Sequence, residues 1–134
     1  MSRIRAFDSS PELKFQAALR RHGLRFLSNV QKMPGRPDVV FPKARVVIFV
    51  DGIFWHGYRY PAWKQRLSPY WQSKIERNRA RDIRNHRKLR RLGWTVVRIW
   101  EHQVKRDAEE CAIQVAALVR KNAKMAQKRA IKAA

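Results

Sequence analysis

The sequence predicts an α/β fold in which helices flank a mixed central sheet, and three patterns predict it. Two short β-branched and aromatic runs, Val39–Phe41 and Val46–Val50, sit either side of a Pro-containing turn. A long segment, Tyr70–Leu92, carries its apolar residues at helical spacing, and Trp94–Trp100 (WTVVRIW) then returns to a β-type run. With 134 residues of which 45% are hydrophobic, the chain has room for one compact core.

The elements follow in order. Ser9-Ser10-Pro11-Glu12 has a capping-box pattern, with Ser at the N-cap and Glu at the third helical position. A helix is expected from Ser10 to His22, stopping at Gly23 and burying Leu13, Phe15, Ala18 and Leu19. Leu24–Asn29 alternates apolar and polar residues and predicts a first strand. Met33–Pro37 makes a turn, and Pro37 biases Arg36 away from helix. Val39–Phe41 and Arg45–Val50 then predict a hairpin around Pro42–Ala44, its second strand buried on both faces. Tyr58–Pro69 reads as an ordered aromatic and basic loop.

The long helix places Trp71, Ile75, Asn78, Asp82, His86 and Leu89 on one face. Arg77, Arg81, Arg84, Lys88 and Arg91 fall on the other. Asp82 and His86, one turn apart, form a candidate pair. After Trp94–Trp100 a closing helix is expected over Asp107–Lys121. Residues 1–119 are read as one domain and 120–134 as a fraying basic tail that adds non-specific affinity for polyanions.

Charge narrows the partner. Thirty-one Lys and Arg against ten Asp and Glu give a net +21, a field that attracts polyanions through counterion release. Double-stranded DNA is the expected partner, and a basic solubilising surface is the bland alternative. No 18-residue apolar run occurs and the N-terminus shows no apolar leader, so no membrane is expected and a cytoplasmic, nucleoid-associated protein is. Cys111 is the single cysteine, which excludes an intrachain disulfide. No extended apolar seam for dimerisation is evident, and a monomer is expected.

The chemistry concentrates in Pro34–Gly57. Asp38 opens one strand of the hairpin and Asp51 closes the other, so both carboxylates belong at one end of the sheet. Together they suit a hard divalent ion such as Mg²⁺, and in so basic a chain they suggest phosphodiester hydrolysis. The alternative for Asp38 is a solvated strand-end carboxylate. His56 titrates near neutral pH and is a candidate for proton transfer or water positioning, against a packing role beside Trp55. Phe54 and Trp55 are adjacent, so both cannot face one interior.

The segments P-G-R-P-D, F-V-D-G-x-F-W-H-G, K-I-x-x-N-x-x-R-D and G-W-x-V-x-x-x-W-E, occurring in this order between about Ser9 and His102, resemble the very short patch repair (Vsr) DNA mismatch endonucleases. That resemblance implies a restriction-endonuclease-like core of PD-(D/E)XK type, αβββαβ, and nicking of duplex DNA, with T·G mismatches as targets. It implies Asp38 and the Val50 carbonyl as metal ligands, with Glu12, Asp51 and His56 around the attacking water. Glu12 also has the purely structural reading of a capping residue. The resemblance further implies Phe54, Trp55 and Trp71 as aromatic wedges, with core packing the alternative for Trp71. The basic row Arg77, Arg81, Arg84 and Lys88 would grip phosphates, or be only a solvated face. Here the sequence departs from the family. The best known members have histidine where this chain has Asp51. They also hold a structural zinc near the positions of Ile53, Tyr58 and His102, and Cys111 cannot complete such a site, so no structural zinc is expected. Two other readings stand beside the repair enzyme: a nuclease of a restriction or defence system that needs no mismatch, and a catalytically impaired DNA-binding module. The partner proteins differ accordingly, mismatch repair or restriction-modification.

Overall fold

The computed structural model describes residues 10–133. In chain order its elements are α1 (Pro11–Arg21), β1 (Leu27–Ser28), β2 (Val39–Phe41), β3 (Val46–Asp51), α2 (Tyr60–Trp63), α3 (Pro69–Arg91), β4 (Thr95–Trp100) and α4 (Glu101–Ala133). The sheet runs β1-β2-β3-β4, antiparallel at the first two pairings and parallel at β3–β4. The parallel step follows from α3, which carries the chain from the end of β3 back to its start. This mixed sheet between helices is the expected restriction-endonuclease-like core.

Alternation along the strands builds two cores. Val39, Phe41, Val46, Ile48 and Ile99 face α1 and α4 and meet Phe15, Leu19, Val104, Ala112 and Val115. Val40, Val47 and Phe49 face α3 and meet Leu89. Phe15, Leu19 and Ile48 are fully buried, and each contributes roughly 1.5–3 kcal/mol of transfer free energy. The same alternation sends Asp51 and Arg98 to the α3 side, where the second core gives way to polar side chains.

Four expectations need correcting. The first strand is only Leu27–Ser28, because Asn29 adopts a left-handed φ of 52° and ends it. The capping box rests on Ser9, outside the described residues; Ser10 is the N-cap and makes no side-chain cap bond. Tyr58–Pro69 is not loop throughout: buried Tyr60, followed by Pro61 at a helix start, nucleates α2, and a 3-10 turn covers Lys64–Arg66. The last helix begins at Glu101, with a break at Asp107, whose side chain accepts from Glu110 N–H at 3.0 Å and recaps it. It then crosses the expected boundary at residue 119 and stays helical to Ala133. Residues 120–133 contain no Gly or Pro, and Asn122 donates to Thr95 Oγ1 at 3.2 Å, so the frayed tail is replaced by helix.

Candidate active site

The hairpin register sets the site. Val39 faces Ile48, and Asp38 N–H continues the ladder to Ile48 O at 3.0 Å, while Asn29 N–H donates to Asp38 O at 3.0 Å. Fixed on both sides, Asp38 turns its carboxylate back over β3 and accepts the Val50 N–H at 2.6 Å. Burial pushes the Asp38 pKa up to about 7. The Val50 bond opposes this, the neighbouring charges of Glu12 and Asp51 add to it, and His56 relieves it. Those four ionisable groups therefore lie near enough to feel one another's charge. Glu12 is itself raised by burial, against a hydrogen bond from the Asn29 side chain, and it accepts Gln16 Nε2 at 3.3 Å.

The chain leaving β3 folds down onto α3. Asn78 Nδ2 donates to Trp55 O at 3.0 Å, and one turn further on Asp82 Oδ2 lies 2.7 Å from His56 Nδ1. The Asp82 carboxylate only accepts, so Nδ1 carries the proton and Nε2 points toward Asp51 Oδ1, 3.6 Å away. That gap is too long for a direct bond. The Asp82 hydrogen bond raises the His56 pKa in spite of burial. Burial opposes ionisation of Asp82, yet its bond to His56 and the charges of His56 and Arg98 outweigh it and hold the carboxyl low.

Arg98 completes the arrangement. Its Nε donates to Asp51 Oδ2 at 2.7 Å and its Nη2 to Asp82 Oδ2 at 2.6 Å. The expected Asp82–His86 pair does not form, since Asp82 is taken by His56 and Arg98. His86 instead packs on Phe49, with ring centroids 4.7 Å apart, and burial followed by the Arg98 charge lowers its pKa below the ordinary value. Sequence patterning carries no signal for Arg98, a lone charge in the β-type run Thr95–Trp100. Asp82 was visible on the inner helix face but not its partners.

Two donor sets adjoin. Asp51, His56 and Asp82 offer ligand atoms within 4.8 Å of one another. Asp38, with Glu12 close by and the Val50 main chain beside it, forms the other. The second fits a hard divalent ion better: its carboxylates repel one another and no protein cation pairs with Asp38 among the described residues, whereas Asp51 and Asp82 already share Arg98. Around Tyr58 the residues do not fit a zinc. The Tyr58 ring packs on Trp100 and His102 at centroid distances of 4.9 and 4.7 Å, and Ile53 offers no donor.

Beside the acidic pocket lies an aromatic ridge. Phe54 is in contact with Trp55, Trp63 and Trp71 at centroid distances of 5.3, 5.9 and 5.6 Å, and Trp55 lies 5.6 Å from Trp71. Phe54 and Trp55 remain 38% and 45% exposed, so neither fills the core. Trp71 belongs to this ridge as well, and Lys74 Nζ lies over the Trp55, Tyr70 and Trp71 rings. Along α3, Lys74, Arg77, Asn78, Arg81 and Arg84 line a groove of about 470 Å³, and Arg77, Arg81, Arg84 and Lys88 are all exposed. No helix of the described residues is long and apolar enough to cross a membrane.

Comparison with known proteins agrees with this geometry. The family described as DNA mismatch endonuclease Vsr matches residues 1–62. A type II nicking enzyme, V.XorIIP of Xanthomonas oryzae pv. oryzae, is 42% identical over 106 residues, covering 75% of this chain and 76% of its own length. The type II nicking enzyme V.NmeDIP of Neisseria meningitidis serogroup C is 38% identical over 118 residues, covering 84% and 78%. The DNA mismatch endonuclease Vsr of Escherichia coli K12 is 36% identical over 103 residues, covering 75% and 66%. An acidic pocket at a sheet end, an imidazole held over it and this breadth of similarity lead to one conclusion: the chain belongs to the Vsr family and is a DNA endonuclease of the nicking kind.

Proposed function

We propose that this protein is a Mg²⁺-dependent endonuclease that nicks duplex DNA at T·G mismatches, as a monomer acting on nucleoid DNA in very short patch repair. The observation that carries this reading is the half-buried Asp38 carboxylate, bonded to Val50 N–H and crowded by Glu12 and Asp51, with His56 held alongside. Asp38 and the Val50 carbonyl would hold the ion, with Glu12 beside them, and a divalent ion there would supply charge neutralisation at the scissile phosphate and a more acidic water. His56 Nε2, its ring fixed through Nδ1 by Asp82, takes or directs the proton of the attacking water. Asp51 Oδ1 lies 3.6 Å from that nitrogen and accepts a second hydrogen bond from the same water.

Phe54, Trp55 and Trp71 wedge into the stack beside the target, and a mismatched step costs less to open. Arg77, Arg81, Arg84 and Lys88 position the duplex through its phosphates. Residues 1–119 form the endonuclease domain, and the basic residues of 120–134 add non-specific affinity. Supercoiled plasmid and a T·G duplex incubated with Mg²⁺ test the reading. Nicking by the wild type and none by Asp38→Asn is expected; equal behaviour of the two refutes it.

One observation favours a second reading. Relatives at 42% and 38% identity are named type II nicking enzymes, which supports a nuclease of a restriction or defence system that needs no mismatch. Equal nicking rates on T·G and fully paired duplexes would select it.

A further inference from the structure

Asp51, His56 and Asp82 come from three separate elements: the end of β3, the loop after it and the middle of α3. Their ligand atoms converge to within 4.8 Å. Two carboxylates so close in a mostly buried setting repel each other and need a cation between them. The chain supplies one. The Arg98 guanidinium spends Nε on Asp51 Oδ2 and Nη2 on Asp82 Oδ2, and its flat face rests on Trp100, 4.5 Å from the ring centroid. Asp51 and Asp82 side chains are only 10% and 12% exposed, Arg98 25%, so solvent screens these contacts weakly.

The same Asp82 oxygen that Arg98 grips also receives His56 Nδ1. The orientation of the imidazole thus depends on where Asp82 is held, and Asp82 is held by Arg98. Asp51 is tied at its other oxygen, which leaves Oδ1 turned to His56 Nε2. We infer that Arg98 is a positioning residue for nicking: a tethered cation that takes the place a metal ion would otherwise fill among Asp51, His56 and Asp82, and thereby fixes the His56 ring. It follows that Asp51 serves this clasp and not the ion held at Asp38. A lysine provides a point charge but no planar fork, so it reaches one carboxylate and not both.

This inference rests on the reading of His56 as the proton-handling group, and its test separates the two. Arg98→Ala and Arg98→Lys are compared with the wild type in three measurements. The nicking kcat of Arg98→Ala is expected to fall about 10²-fold or more, the scale of a lost acid–base group, while duplex affinity stays within about twofold. Millimolar guanidinium should restore part of the Arg98→Ala rate by refilling the vacated fork, a rescue that a merely destabilised protein would not show because guanidinium unfolds proteins. Arg98→Lys should fall between the two. In metal-free protein, the ¹⁵N signals of the His56 ring are expected to be those of one fixed tautomer in the wild type and averaged in Arg98→Ala. Unchanged His56 signals in Arg98→Ala, or a kcat near the wild-type value, overturn the inference. If Arg98→Ala does not fold, the ring signals and kcat of Arg98→Lys decide by the same criteria. A wild type that nicks nothing sinks the functional reading alone, and the ring signals still judge Arg98.

Discussion

Asp82→Asn tests the tertiary network most directly. Asp82 Oδ2 accepts two charge-assisted bonds, from His56 at 2.7 Å and Arg98 at 2.6 Å. Such bonds contribute roughly 1.5–3 kcal/mol each, about twice neutral ones. An asparagine keeps the shape and one acceptor oxygen but removes the charge, so about half of that total is lost. The partners are about one quarter exposed, which reduces it further and leaves about 2 kcal/mol. For a domain of this size that corresponds to a fall in Tm of roughly 5–8 °C.

The pH dependence carries the decisive sign. His56 is raised in the folded state, so its contribution is complete below its ordinary value of 6.5 and is lost as pH rises through the folded value. Asp82 is depressed, so its contribution is complete above 3.8 and is lost as pH falls through the folded value. The gap in Tm between wild type and Asp82→Asn should therefore be widest between these two values. Above the folded His56 value it narrows to the part due to Arg98 and to the neutral Nδ1–H bond. Thermal melts at about pH 5.5 and about pH 9 measure it. A gap that is the same at both refutes the His56–Asp82 ion pair and the positioning argument built on it.

Three other outcomes are expected. Because Asp38 is raised from 3.8 to about 7, the folded protein holds a proton that the unfolded chain releases, and wild-type stability in chelator should fall as pH rises across that interval. Asp38→Asn should flatten this slope and melt higher than the wild type at about pH 8, by an amount on the order of 1 kcal/mol, while losing nicking; a parallel slope in both proteins would count against the half-buried carboxylate. Trp55→Ala should weaken mismatched-duplex binding by about 1–3 kcal/mol, the scale of one base–aromatic stack, with Tm little changed because the side chain is 45% exposed; fluorescence anisotropy reads this, and unaltered affinity removes the wedge role. Gly57→Ala should both lower Tm and slow nicking. Its φ is +68°, and a Cβ there would lie 2.6 Å from Arg79 Cδ and 3.2 Å from Ile75 Cγ2, pushing the His56 loop off α3; wild-type kcat in that variant would show that the loop seating does not matter.

Much of the fold was written locally. β-branched runs, a 3.6-residue period over Tyr70–Leu92 and the glycines that end helices are properties of neighbouring residues, and they located five of the main elements within a few positions. The Asp38 end of the site was legible for the same reason: a hairpin converts twelve residues of separation into adjacency, and Asp38 does receive the Val50 N–H. The short edge strand and the helical C-terminal stretch were not, because an edge strand ends where backbone φ dictates and a tail becomes helix where a packing partner exists.

By itself, then, the sequence determined the sheet, the opposed acidic strand ends, the exposed basic row and the affinity for polyanions that a net +21 imposes. Only tertiary structure decided which charges meet. His56 meets Asp82 across 26 residues, and Arg98 meets Asp51 across 47 and Asp82 across 16. No local pattern encodes such meetings, because they follow from the parallel pairing of β3 with β4 and from the turn of α3 that faces the sheet. Ion pairing depends on separation in space and on burial, and folding sets both.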